Sequence, residues 1–184
     1  MKRALLAAGL LCVATAMARG ADPTGEFTAV ATVDTPSGTR SMALTVAVLR
    51  PMRLEEAMRL KKFLDEGGQQ ALLNAIKGGN RGSFRLGAME YPIDLVVAEP
   101  GSDGYTYFIV TARQLQYEEV QQGSESLEHP FTVAEFHVPE FGPGDGHVYT
   151  KAALVVDADG RVRVNQYDRQ PGTLKDVKRR TSNW

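Results

Sequence analysis

Cysteine is nearly absent from this sequence, and the position of the single copy decides which chemistries are excluded. Cys12 lies in an uncharged stretch near the beginning of the chain, so residues 19–184 contain no thiol. That part of the chain therefore has no disulfide, no cysteine nucleophile and no thiolate metal site, and packing alone must stabilise it. Leu11, which precedes the cysteine, is not the small residue found before a lipid-modified cysteine, so a lipid anchor is disfavoured.

A strong net charge and a second long apolar run are also missing. The whole chain has a formal net charge of -1, and its first 18 residues hold two basic residues and no acid, which leaves residues 19–184 at about -3. Such a balance provides no overall attraction to nucleic acid or to anionic lipid. No stretch after residue 18 is long and apolar enough to span a bilayer. We therefore expect no nucleic-acid partner and no integral membrane segment in the mature form.

Residues 1–18 have the features of an export signal. Lys2 and Arg3 form a positive head, a Leu- and Ala-rich run without charge follows, and Ala16-Met17-Ala18 has the small-x-small spacing of a cleavage site. The pattern predicts a signal peptide over residues 1–18 and a single domain over residues 19–184. It also predicts a periplasmic or secreted location.

Three pairs of β-rich segments predict hairpins. Each pair flanks a short sequence rich in Gly, Pro, Asp or Ser, the residues that turns require. Within the segments apolar residues alternate with residues that are polar or small, which is typical of an antiparallel sheet with one solvent-exposed face. The paired segments are 26–33 with 41–49, 93–99 with 105–113, and 148–156 with 161–167. Residues 83–89 and 131–138 predict two further strands.

In one region the apolar residues recur at helical spacing and no longer alternate as in a strand. Residues 53–64 begin with acidic residues after a proline, and residues 69–77 end in Lys and Gly-Gly, so both read as helices. Gly67-Gly68 interrupts them. We expect these helices to cover one face of the sheet, with Leu72, Leu73 and Ile76 as buried contacts.

The order of these elements predicts the fold class. Strands cluster and do not alternate with helices, which favours α+β over a doubly wound fold. We predict a mostly antiparallel β-sheet of about eight strands, arranged as a sandwich or half-barrel, with one or two helices inserted after the second strand.

Histidines and a glycine-rich loop are the candidates for chemistry. His137 and His147 lie at opposite ends of a loop that contains Gly142 to Gly146 and Asp145. Metal sites need two to four converging ligands, but no familiar metal-binding spacing is present among the histidines. The glycines suit a tight strand connection more than a phosphate loop, because no helix follows. We assign no catalytic, cofactor-binding or metal residues and keep Asp145, His147 and His137 as a speculative binding loop.

Other motifs are weaker. Asp157-Ala158-Asp159-Gly160 begins like a calcium loop, but a strand follows, which favours a hairpin turn. No G-x-S-x-G elbow is present. Residues 114–130 form a long polar connection of the kind that is often functional or mobile.

Several blocks resemble a family of exported bacterial proteins without an assigned function. The likeness implies a periplasmic or secreted location and nothing about substrate. The blocks are the leader, Ala75-Ile76-Lys77-Gly78-Gly79, the segment 107–113, the Gly142 to Gly146 loop and the segment 167–177.

These observations favour a non-catalytic binding or envelope-interaction module without a cofactor. Its partner would be a small molecule or an envelope protein. A metal-assisted, hydrolase-like enzyme built around the speculative binding loop is one alternative. A carrier that holds a small apolar ligand between sheet and helices is another.

Overall fold

The computed structural model describes residues 22–35, 38–113, 128–167 and 170–180. The predicted signal peptide over residues 1–18 and residues 114–127 of the polar connection lie outside the described residues. Ten strands and one helix follow one another along the chain. They are β1 Gly25–Thr35, β2 Gly38–Val48, α1 Leu54–Ile76, β3 Gly82–Leu86, β4 Met89–Ile93, β5 Leu95–Pro100, β6 Gly104–Thr111, β7 Phe131–Pro139, β8 Gly144–Val156, β9 Val162–Tyr167 and β10 Gly172–Arg179.

The sheet is a nearly closed antiparallel barrel. Its strand order is β4-β3-β2-β1-β10-β8-β7-β6-β5, and β9 pairs with β8 beside this path. The two ends of the order, β4 and β5, are separated in the chain only by Asp94. One continuous segment therefore pairs with β3 through its first half and with β6 through its second half. This change of partner brings the two edges of the sheet together.

Every second side chain of a strand points inward and fills the inside of the barrel. In β2 the buried side chains Leu44, Val46 and Val48 alternate with less buried, mostly small ones, as the sequence predicts. Tyr107 is fully buried and its ring stacks on Phe136 with centroids 5.4 Å apart. The inner core, which these side chains form, contains Phe27, Ala29, Ala31, Val33, Leu44, Val46, Val48, Phe84, Leu86, Ile93, Val96, Tyr107, Ile109, Ala134, Phe136, Val138, Val148, Leu174 and Val177.

A second cluster, the outer core, lies beneath the helix. Leu60, Leu72 and Ile76 of α1 are buried in it, together with outward-facing side chains of β5 to β9. The predicted contacts Leu72 and Ile76 are confirmed as buried, and Leu73 is partly buried against the same cluster. The strand members are Leu95, Phe108, Val110, Phe131, Val133, Ala152, Leu154, Val156 and Val162.

Part of the fold prediction is wrong in detail. The α+β class, the antiparallel pairing and the helical insertion after the second strand are confirmed. The described residues form ten strands and not about eight, and of the two predicted arrangements, sandwich or half-barrel, the nearly closed barrel departs from the sandwich. The predicted strand 83–89 is in fact β3 and the start of β4, because a turn at Gly87, with φ +59°, divides it. The two predicted helices form one element that is kinked at Gly68, whose φ of +64° is outside the helical region.

Among the described residues, no helix combines the length and the apolar character that crossing a bilayer requires.

Asp94 lies at the joint between β4 and β5 and is buried. One carboxylate oxygen accepts a hydrogen bond from the backbone N–H of Gly78 at 2.8 Å, and the other accepts from the N–H of Ala112 at 2.7 Å. Its own N–H donates to the carbonyl of Val110 at 3.0 Å. The carboxylate thus joins the end of α1, the end of β6 and the closing segment.

We predict that Asp94→Ala destabilises the protein by roughly 2 to 5 kcal/mol, because two partly buried N–H groups lose hydrogen bonds to a charged acceptor. Urea unfolding followed by far-UV circular dichroism measures the loss. Asp159→Ala, which removes an exposed carboxylate from a turn, is the control and should change the free energy of unfolding by less than about 0.5 kcal/mol. Equal effects of the two substitutions would contradict the role of Asp94.

Gln69 connects the helix to β8. Its side-chain amide donates to the carbonyl of Leu154 at 2.7 Å and accepts from the N–H of the same residue at 2.8 Å.

We predict that Gln69→Ala lowers the free energy of unfolding by about 1 to 3 kcal/mol, since both backbone groups are left without a protein partner. The neighbouring Gln70→Ala, which removes only an exposed contact with Asn74, should cost far less in the same urea experiment. A smaller effect at Gln69 than at Gln70 would refute this connection.

Candidate functional site

An open cleft of about 360 Å³ lies where β2 leads into α1. Three of the side chains that line it are arginines. We call it the arginine cleft; its lining residues are Arg50, Pro51, Arg53, Glu55, Glu56 and Arg59.

Backbone hydrogen bonds fix the segment that enters the helix. The N–H groups of Leu49 and Arg50 donate to the carbonyl of Arg81 at 2.9 and 3.3 Å, and the N–H of Met52 donates to the carbonyl of Val96 at 2.6 Å. The segment is thus attached to the start of β3 on one side and to β5 on the other. The barrel strands hold one wall of the cleft in place.

The first turn of α1 forms the other wall. Arg53 has an extended backbone, with φ -89° and ψ 158°, and the helix begins after it. Glu56 accepts the N–H of Arg53 at 2.9 Å, which satisfies one of the donors left free at a helix start. Glu55 and Glu56 in the first turn also interact favourably with the helix dipole.

Arg81 lies behind the cleft and connects its two walls. Its guanidinium group is 3.2 Å from the carboxylate of Glu56 and donates to the carbonyl of Arg50 at 3.4 Å. Its side chain is only 12% exposed, so it is a positioning residue and does not present its charge to solvent. Arg50 in turn donates to the carbonyl of Gly79 at 3.4 Å, which fixes its direction.

The carboxylate of Glu56 is engaged within the protein. The pKa of Glu56 lies below its ordinary value of 4.5, first because the carboxylate accepts the N–H of Arg53, and then because Arg81 donates to it; the charges of Arg81 and Arg50 act in the same direction. Glu56 is therefore ionised and paired at neutral pH.

The remaining charges leave the arginine cleft positive. Arg50, Arg53 and Arg59 form no ion pair with any residue that the structure describes, and the carboxylate of Glu55 is the one acid of the lining that is not engaged. Three guanidinium groups thus face one free carboxylate at the positive end of a 23-residue helix. The lining of the cleft carries a net positive charge although the whole chain is slightly acidic.

The structure places the speculative binding loop elsewhere. Gly144 begins β8 and Gly142 has φ +85°, so the glycines form a strand–turn–strand connection, as their sequence favours. His147 pairs with Glu135 across β7 and β8, and strand alternation turns both away from the barrel interior. Asp145 shares this outer face.

The three residues of the speculative binding loop share the outer face of β7 and β8, but His137 also has neighbours from another hairpin. His137 is 3.4 Å from Thr106 through Nδ1 and 3.4 Å from the carboxylate of Asp103 through Nε2, which makes no hydrogen bond there. Asp145 and His147 are exposed. Within residues 22–35, 38–113, 128–167 and 170–180, no three His, Cys, Asp or Glu side chains converge to hold a metal ion.

Asp157 is engaged in a turn. Its carboxylate accepts the N–H groups of Asp159 and Arg161 at 2.9 and 2.8 Å, and Gly160 has φ +78°. The predicted hairpin between β8 and β9 is therefore confirmed, and the carboxylate of Asp157 stabilises its turn.

The end of the barrel is closed by the protein's own residues. Arg179 donates to the carbonyls of Asp22 and Thr24 at 2.6 and 2.9 Å and lies over the ring of Phe27, 5.2 Å from its centroid. The hydroxyl of Tyr107 is 3.4 Å from the same guanidinium group. Burial raises the pKa of Tyr107, and the charge of Arg179 opposes this effect. The described part of the barrel interior is filled by aromatic and aliphatic side chains. Between the sheet and the helix, where the carrier hypothesis places its ligand, the apolar side chains of the outer core pack together, and the carrier stays a hypothesis.

The arginine cleft is not predicted by the sequence. Arg50, Arg53 and Arg59 form a run of cations around Pro51, but such runs usually form solvated faces. The pairing of Glu56 with Arg81, which lies beyond the whole helix, has no local signal in the sequence. This long-range pair leaves Glu55 as the one unengaged carboxylate beside the other three arginines.

Comparison of the chain with protein-family models, with curated proteins and with solved structures finds no match. The resemblance to exported bacterial proteins therefore stays a prediction, and the case for function depends on the chemistry of the described residues.

We predict that Glu56→Gln flattens the acid side of the stability profile. Because the folded protein lowers the pKa of Glu56, this carboxylate contributes stability above about pH 4.5 that is lost as pH falls through its folded pKa. The wild type should thus lose more free energy of unfolding than the variant between about pH 5 and 3, by at most about 1 kcal/mol because the group is partly exposed.

Urea unfolding at several pH values checks this expectation. Glu55→Gln, which removes the neighbouring carboxylate, is the control and should flatten the slope less, because Glu55 has the helix dipole but neither the cap nor the ion pair. If Glu56→Gln flattened the slope no more than Glu55→Gln, the cap and the ion pair with Arg81 would not contribute to stability.

Proposed function

We propose that this chain is a non-catalytic binding module of the cell envelope that holds an anionic group of its ligand in the arginine cleft. The observation that carries the proposal is the set of three arginines without carboxylate partners, placed in one cleft at the start of a long helix. The export signal predicted over residues 1–18 supports the envelope location.

The chemistry of guanidinium supports an oxyanion as the bound group. Its planar set of N–H donors matches the oxygens of phosphate or carboxylate and forms two parallel hydrogen bonds with them. The N-terminal end of α1 adds a favourable dipole. Phosphate and carboxylate groups are therefore the ligand class.

The same residues support binding over catalysis. Arginine does not exchange protons near neutral pH, so Arg50, Arg53 and Arg59 cannot act as general acids or bases. The carboxylate of Glu56 accepts the N–H of Arg53 at the helix cap and forms an ion pair with Arg81. The metal-assisted alternative has less support, because His137 already lies against Thr106 and Asp103 of the β5–β6 hairpin.

We predict that the protein binds inorganic pyrophosphate at low ionic strength and that Arg53→Ala/Arg59→Ala weakens this binding by about tenfold or more. The reason is the loss of two charge-assisted contacts. Isothermal titration calorimetry measures the affinity, and added salt should weaken it.

Arg161→Ala/Lys175→Ala is the matched control, because it removes the same charge from exposed positions far along the chain. It should bind pyrophosphate like the wild type. Absence of binding to the wild type, or an equal loss in both double variants, would refute the arginine cleft as the site.

A further inference from the structure

Exposed apolar side chains accompany the arginine cleft. Leu49 is 66% exposed, Met58 44% and Phe63 46%, and all three lie in the same short stretch of chain as the three cleft arginines. They are three of the seven large hydrophobic side chains that are exposed among the described residues. Single exposed hydrophobics are ordinary, but a group of them beside a charged cleft marks an interaction surface. We call Leu49 and Phe63 the apolar rim.

Helix geometry places cation and ring on the same side of α1. Arg59 and Phe63 are four residues apart and therefore lie one above the other on the helix surface. Met58 is exposed as well, but as the immediate neighbour of Arg59 it points about 100° away from it around the helix. Leu49 directly precedes Arg50 at the other wall of the cleft. Arg59 and Phe63 thus form one mixed cationic and apolar stripe on the helix, and Leu49 borders the cleft beside Arg50.

The other cations of this helix are paired. Lys61 forms an ion pair with Asp65 at 2.7 Å, and Lys62 lies 3.8 Å from Glu66. These pairs leave the net positive charge at the cleft end of the helix, next to the apolar rim. The attraction to an anion is therefore local, since the net charge of the whole chain is -1 and adds no attraction.

A soluble anion would use the arginines and leave the apolar rim in water. An anionic phospholipid surface presents phosphate groups and, directly beneath them, hydrocarbon into which Leu and Phe side chains insert. Because it rests on the proposed function, this step specifies the ligand of the same cleft. We infer that the arginine cleft and the apolar rim together form a peripheral binding surface for membranes that contain anionic phospholipid.

Vesicle co-sedimentation tests this surface. The comparison uses residues 19–184 throughout, because every described element lies within them and the apolar residues of the leader would bind vesicles by themselves. We expect binding to vesicles of phosphatidylglycerol mixed with phosphatidylcholine, little binding to pure phosphatidylcholine, and a decrease as salt is raised.

Two double variants separate the two contributions. Leu49→Ser/Phe63→Ser should lower the vesicle partition coefficient about tenfold and leave pyrophosphate affinity unchanged. Arg53→Ala/Arg59→Ala should lower both about tenfold or more. Val30→Ser/Phe141→Ser, which removes an aliphatic and a phenyl side chain exposed elsewhere, is the matched control and should bind vesicles like the wild type.

The outcomes distinguish this inference from the proposed function. If the protein binds pyrophosphate but not the anionic vesicles, the membrane inference is overturned and the proposed function stands. If it binds neither, both fail. If the vesicles bind equally well to the Leu49→Ser/Phe63→Ser variant, the apolar rim has no part in binding and the inference is likewise overturned.

Discussion

The fold depends on one segment, residues 89–100, that forms both ends of the sheet, and on the buried carboxylate at its middle. Where β4 becomes β5 the chain leaves β3 and joins β6. At this point Asp94 accepts two backbone N–H groups, that of Gly78 after α1 and that of Ala112 after β6. A buried carboxylate is tolerated there because both of its oxygens are hydrogen-bonded. The same two bonds hold the end of α1 against the barrel.

The arginine cleft follows from this arrangement. With the end of α1 fixed near Asp94, the chain continues directly through Arg81 into β3. Arg81 then reaches Glu56 in the first turn of the same helix and the carbonyl of Arg50. It thereby neutralises an acid that would otherwise compete for the three outward arginines. The positive character of the cleft is thus a consequence of how the helix is attached to the barrel.

The elements with local signals were predicted well. Gly, Pro and Asp between alternating segments located the β1–β2, β5–β6 and β8–β9 hairpins, because a tight turn needs residues that accept its backbone conformation. The speculative binding loop shows the limit of such reasoning. His137 and His147 are close along the chain, and strand pairing places them on one face, but contacts with Thr106 and Asp103 occupy His137. Those partners come from another hairpin.

By itself, the sequence determined a thiol-free domain with an antiparallel sheet and a helical insertion after the second strand, since composition, alternation and turn residues act over a few positions. Only the tertiary structure decided that nine of the ten described strands form a nearly closed barrel, and that Arg81 returns from beyond the helix to pair with Glu56. Both depend on contacts between distant segments, which hydrogen-bond register and burial select and which leave no periodic trace in the chain. The arginine cleft, with its apolar rim, is likewise a feature that only the tertiary structure decided.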